Sequence, residues 1–176
     1  MSKKGAIFVA NIGHHNIESL YIIGPGTNSG WPMREGTFLI DPSQNMYNIY
    51  PLPADDGKNN FNYPVIQYDH DEGNAISGGY EYWGKAVPAL GGKFLFGDFV
   101  KGRLFYADMK DLKTGSQAPF KEFRISFNGS ITTLSDLCGA KKVDERFGRD
   151  RQGEMYLTTK PDGKVYKLVS ATNEPK

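Results

Sequence analysis

With 176 residues, of which 39% are apolar and 23% charged, the chain has the length and composition of one globular domain and is too apolar for a disordered segment. Its formal charge of +1 supplies no field for nucleic acid or an anionic membrane, and no apolar run reaches the length of a bilayer span. The single cysteine, Cys138, excludes an intramolecular disulfide and any all-cysteine metal site.

Met1-Ser2-Lys3-Lys4 leads directly into an apolar strand pattern and not into the apolar region of a signal peptide, so the chain as written carries no export signal. Short apolar runs separated by Gly, Asn, Asp and Pro then predict strands near 6–10, 18–23, 64–68, 75–83, 93–97, 103–107, 121–127, 154–159 and 164–169. Aromatic residues make up 13% of the chain, which favours sheet, and 21 glycines and 10 prolines supply the turns. Only residues 132–137 offer a helical turn. The stretch from Gly24 to Tyr63, rich in Gly, Pro and Asn, predicts a long extended loop, a kind that is usually functional or covering.

Two of these hairpins repeat each other. Gly92-Lys93-Phe94-Leu95-Phe96 is followed ten residues after its glycine by Gly102-Arg103-Leu104-Phe105, and Gly153-Glu154-Met155-Tyr156-Leu157 is followed at the same distance by Gly163-Lys164-Val165-Tyr166, a period of 61 residues. A weaker third copy starts at Gly5 and pairs with residues 19–23. Such radial repetition is the signature of β-propeller blades. The expected fold is therefore all-β: a single domain over 1–176 forming a partial propeller of about three four-stranded antiparallel blades. It divides into a blade part over 5–70 with an insertion at 24–63, a complete blade over 75–127 and a blade part over 141–169. Propellers typically close with four to eight blades, so fewer than three require a partner surface, either the remaining blades or a second copy of the chain.

Several phrases resemble the glucose/sorbosone dehydrogenase family. They are Asn28-Ser29-Gly30-Trp31-Pro32 with Arg34-Glu35-Gly36, Gly78-Gly79-Tyr80-Glu81-Tyr82-Trp83-Gly84, Phe96-Gly97-Asp98, and Phe147-Gly148-Arg149-Asp150 through Lys167. The resemblance runs along almost the whole chain and matches the later half of a six-bladed propeller. It implies a sugar or aldose dehydrogenase-like portion that oxidises a sugar hydroxyl with pyrroloquinoline quinone (PQQ) when complete and is inactive alone, and a periplasmic or secreted location for a full-length member. It also implies a calcium site: Gly13 and His14 would offer backbone oxygens and Glu18 a carboxylate, oxygen donors suited to a hard cation. Against this stands an ordinary inter-strand turn in which Asn16 bonds its own backbone.

His15, Asn16, His70, Asn74, Lys101 and Arg149 are the candidates for a substrate or cofactor face. Lys101 and Lys160 occupy equivalent hairpin turns, where solvated lysines are the commoner case. Trp31 and Trp83 are candidates for stacking on a sugar, with blade packing as the alternative. The family's quinoproteins hold acidic PQQ with paired arginines before the last hairpin; those positions fall here on Val143 and Glu145, and a carboxylate there repels the cofactor. The family's general-base histidine belongs to earlier blades. Competing readings are a non-catalytic carbohydrate- or protein-binding propeller portion and a hydrolase or lactonase with a metal-activated water.

Overall fold

The computed structural model describes residues 2–170. The chain folds as a partial β-propeller built from antiparallel sheets. The first sheet has the order β1-β2-β6, formed by β1 (Ile7–Asn11), β2 (Ile17–Ile23) and β6 (Ile66–Asp69). The second is a complete four-stranded blade, β7 (Ile76–Glu81), β8 (Lys93–Asp98), β9 (Arg103–Asp108) and β10 (Lys121–Phe123), laid side by side in chain order. The third joins β13 (Arg146–Arg149), β14 (Met155–Thr159) and β15 (Lys164–Lys167).

The 61-residue repeat holds pair by pair. Leu95 lies opposite Tyr106 and Asp98 opposite Arg103, while Tyr156 lies opposite Lys167 and Thr159 opposite Lys164. The two hairpins thus share one register and one turn length, set by the left-handed glycines at their tips, Gly102 and Gly163. Matching β1 to β8 and β14 gives the first sheet the second to fourth strands of a blade and the third sheet the first to third.

Strand β8 shows why the sequence reads as an apolar run. It is buried on both faces: Phe94 and Phe96 point into a cluster shared with Leu20, Ile66 and Tyr68 of the first sheet, and Leu95 points into another with Val143, Met155 and Leu157. Rings meet at a tilt across the first interface, with the Phe8 and Phe94 centroids 4.5 Å apart. The Gly78-Gly79 pair lies at a register shift between Ser77 and Tyr80, where a Cβ on Gly79 would stand 1.6 Å from the Leu95 carbonyl oxygen.

Three expectations change. The 24–63 insertion is not structureless: β3 (Arg34–Glu35), β4 (Phe38–Ile40) and β5 (Ile49–Tyr50) form a small sheet, and a 3-10 turn at Asp56–Asn59 brings Asp56 to Arg34 in a buried ion pair. The complete blade ends at Phe123. Beyond Arg124 the chain leaves the blade for a separate hairpin, β11 (Ile125–Phe127) and β12 (Ser130–Thr132), because Asn128 and Gly129 both take positive φ and close a two-residue turn. A short helix, α1 (Leu134–Cys138), follows, capped by the Thr133 side chain and ended by left-handed Gly139. Finally, residues 146–149 form the strand β13, which lacks a clean alternating pattern.

Candidate functional site

Antiparallel pairing gathers one set of connections at a single end of the sheets. The β1–β2 turn (12–16), the β6–β7 connection (70–75), the β8–β9 turn (99–102), the β14–β15 turn (160–163) and the approach to β13 (139–145) all lie there.

On the first-sheet side this end carries an aromatic and histidine cluster. The His14 ring stacks on Tyr47 at 5.6 Å and lies 5.9 Å from Trp31; His15 meets Tyr47 edge-on at 4.6 Å and lies 6.3 Å from His70. Trp31 and Tyr47 are 57% and 58% exposed, far above the burial of blade-packing aromatics. A cavity of about 330 Å³ opens beside them, lined by Asn11, Gly13, His14, Trp31, Arg34 and Glu35.

The β1–β2 turn is fixed by a residue that the sequence flagged only as part of a resembling phrase. Glu35 Oε1 accepts the backbone N–H groups of His15, Asn16 and Ile17 at 2.8 to 3.0 Å. Burial alone raises its carboxyl; the three amides and the Asn16 side chain outweigh that and hold its pKa below the usual value. Asn16 also donates from Nδ2 to the Tyr47 carbonyl at 3.0 Å, so it positions the aromatic rather than merely bonding its own backbone.

Glu18 is fully buried and committed to the protein. Oε2 accepts the Ile76 N–H at 2.8 Å, and Oε1 takes the Gly13 N–H at 3.3 Å and faces His70 Nε2 at 3.4 Å. Burial pushes its pKa up against these bonds. It does not fit a calcium-ligating carboxylate, and the described residues contain no group of three or more His, Cys, Asp or Glu side chains able to hold a metal ion.

Lys101 reaches the carbonyls of His70 and Asp71, each at 3.3 Å, and so ties two turns together. Asn74 has an exposed side chain while its N–H goes to buried Asp98 Oδ2. Five of the six face candidates, His15, Asn16, His70, Asn74 and Lys101, therefore share this end. Arg149 does not. It closes β13 at the opposite end, where its guanidinium lies 3.6 Å from the Trp83 ring centre and donates to the Glu81 carbonyl at 3.1 Å. Trp83 is thus a blade-packing aromatic, seated also against Gly153.

On the third-sheet side, a cavity of about 620 Å³ is bordered by Lys142, Arg146, Lys160 and Lys164 around Asp144, with Arg146 over the Phe99 ring at 5.0 Å. Neither Val143 nor Glu145 reaches it: both are wholly buried. Glu145 accepts from Ser77 Oγ, its Oε2 has no partner among the described residues, and burial raises its pKa to about 8.

Comparison with known proteins accords with this architecture. Residues 1–173 match the family model described as glucose/sorbosone dehydrogenase. The chain is similar to the HIPL1 protein of Arabidopsis thaliana, 25% identical over 96% of this chain and 25% of that protein. Among solved structures it is similar to a PQQ-bound aldose sugar dehydrogenase from Streptomyces coelicolor, at 18% identity and a TM-score of 0.54, covering 90% of this chain and 35% of that one. A glucose dehydrogenase superposes at 22% identity and a TM-score of 0.61, covering 96% and 41%. The chain therefore spans about a quarter of the curated relative and well under half of these structures. With the propeller sheets and their repeat, the match over nearly every residue places the chain in the glucose/sorbosone dehydrogenase family.

Proposed function

We propose that this chain is the later portion of a sugar or aldose dehydrogenase-type propeller, that its loop end holds the sugar, and that it oxidises nothing by itself. The observation that carries the reading is the pair of exposed rings, Trp31 and Tyr47, set beside three histidines whose polar edges suit sugar hydroxyls. Aromatic faces take the apolar C–H side of a pyranose while neighbouring donors and acceptors read its hydroxyls. Further blades, from a longer polypeptide or a second copy, would complete the ring.

Oxidation of a sugar hydroxyl needs a hydride acceptor and a base. PQQ fits this chain poorly: at the two positions where a two-point guanidinium grip is expected stand a core valine and a buried glutamate with an orphaned oxygen. The same observation favours a second reading, in which the portion binds carbohydrate without catalysis. Calcium would rest on the Gly13 and His14 carbonyls without Glu18.

The experiment is a fluorescence titration of Trp31 with aldoses, with Trp31→Phe as control, alongside absorbance after addition of PQQ and calcium. Sugar-dependent quenching lost in Trp31→Phe supports the site. Absence of quenching removes it. A bound-quinone band that bleaches with sugar would restore the catalytic reading.

A further inference from the structure

Five rings from three separate segments form one row across the loop end. Trp31 and Tyr47 come from the insertion, His14 and His15 from the β1–β2 turn, and His70 from the β6–β7 connection. Successive ring centres along Trp31, His14, Tyr47, His15 and His70 lie 5.9, 5.6, 4.6 and 6.3 Å apart. Each step is comparable to the length of one pyranose unit.

The row is held before any ligand arrives. Glu35 Oε1 accepts the N–H groups of His15 and Asn16, and Asn16 Nδ2 reaches the Tyr47 carbonyl at 3.0 Å. The Tyr47 N–H bonds Asn45 Oδ1 at 3.0 Å, and His70 Nε2 faces buried Glu18 at 3.4 Å. Yet the side chains of Trp31, His14, Tyr47 and His15 stay open to solvent. Rings fixed in place but left uncovered lose little freedom when a ligand settles on them.

The arrangement also says how many units are served. His14 stands between Trp31 and Tyr47, and among the described residues these two rings make no contact of their own. One pyranose therefore covers one of them and not both. Tyr47 and His15 then meet edge-on at 75°, so beyond Tyr47 the row offers nitrogen edges in place of ring faces. Among the described residues no hydrogen bond occupies the ring nitrogens of His14 or His15, which leaves them to ligand hydroxyls. The 330 Å³ cavity lies at one end of the row, beside Trp31 and His14, while Tyr47, His15 and His70 stand outside it. The other end reaches His70, on the connection into β7, the innermost strand of the complete blade.

We infer, resting on the sugar-face reading above, that this row takes a linear oligosaccharide of at least three pyranose units in preference to a free monosaccharide. One unit lies over Trp31 beside the cavity, the next over Tyr47, and a third turns its hydroxyls to His15 and His70. Aromatic faces take the C–H sides of the first two, and imidazole edges read the third. A monosaccharide would use one ring and leave the rest of a prepared row wet.

The test uses the whole chain, with glucose, cellotetraose and maltotetraose as probes and calorimetry as the readout. At least one tetrasaccharide should bind about tenfold tighter than glucose or better, beyond the statistical gain of four like units competing for one site. Tyr47→Ala and His15→Ala, which both truncate exposed side chains, should each cut that preference to about threefold or less without moving the melting temperature. Tyr47→Phe keeps the ring and should retain the preference. Glucose and both tetrasaccharides bound equally, with quenching lost in Trp31→Phe, would overturn the inference and leave the sugar face standing. A preference that survives both alanine variants overturns it as well, because the row is then not what reads the added units. No binding of any of the three sugars overturns the inference together with the reading it rests on.

Discussion

Glu18 Oε2 accepts the backbone N–H of Ile76 at 2.8 Å, so a fully buried carboxylate of the first sheet holds the first residue of the innermost strand of the second. The same side chain braces Gly13 and His70, which makes it a fastener between two blades and the loop end.

Glu18→Ala should therefore destabilise the protein by about 2–4 kcal/mol, since it leaves a buried amide unpaired and removes volume. Glu18→Gln, which keeps an acceptor oxygen, should lose less than half as much. Thermal and denaturant unfolding of both variants would check this, and equal losses would show that charge rather than acceptor geometry matters.

Burial sets the second expectation. The Glu145 pKa is raised from 4.5 to about 8, with the Ser77 hydrogen bond and Arg146 opposing and Asp98 assisting. The folded state thus holds a proton that the unfolded state releases near 4.5. Its contribution to stability is complete below that pH and is lost as pH rises through about 8, by a few kcal/mol at most. Glu35, with a lowered pKa, works the other way and loses its contribution as pH falls below the ordinary carboxylate value. Melting temperatures from pH 5 to 9 should decline in the native chain and decline less in Glu145→Gln.

Gly79→Ala tests the close strand approach. A methyl group there meets the Leu95 carbonyl oxygen, which belongs to a strand buried on both faces and cannot retreat. A loss of about 3 kcal/mol or more is expected. Gly78→Ala, whose nearest neighbour is the Ala10 Cβ at 3.6 Å, should be nearly neutral.

At the proposed sugar face, Tyr47→Ala should weaken aldose binding by about fivefold, or ~1 kcal/mol, and leave the melting temperature almost unchanged because the ring is largely exposed. A stability loss with unchanged affinity would make Tyr47 a structural brace for His14 and His15.

The sequence exposes the repeated hairpins because both their strands are buried and their turns need glycine at fixed places; Gly102 and Gly163 mark the same position to the residue. It hides β13, where Phe147 is buried among half-exposed and exposed neighbours, and it merges β10 with β11 because their apolar pattern crosses Arg124 without a break. The shared end of His15, His70 and Lys101 follows from hairpin topology and was legible. Tyr47 was not, since its approach to the histidines depends on the path of the insertion. Glu35 was equally hidden, because its three amide partners lie 18 to 20 residues upstream and acceptor geometry leaves no local pattern. Arg149 falls at the opposite end from the other face candidates because it closes β13, whose direction a position along the chain does not give.

The insertion between β2 and β6 leaves and returns almost at one point: the Asn62 N–H bonds the Asn28 carbonyl at 2.7 Å, Asn62 Nδ2 bonds the Ile22 carbonyl at 3.0 Å, and the Val65 N–H bonds the Leu20 carbonyl at 2.8 Å. With its two stems stapled, the excursion can lengthen or shorten at little closure cost and without shifting the sheet it departs from. Farther out it is held by Glu35, clasped on the β1–β2 turn, by Thr37, bonded to Gln67 of β6, and by the Tyr47 carbonyl, bonded to Asn16. Evolution, or an engineer grafting a different loop here, is thus free to rewrite the proposed sugar face, provided that a carboxylate is returned to that turn and the bonds to Gln67 and Asn16 are kept.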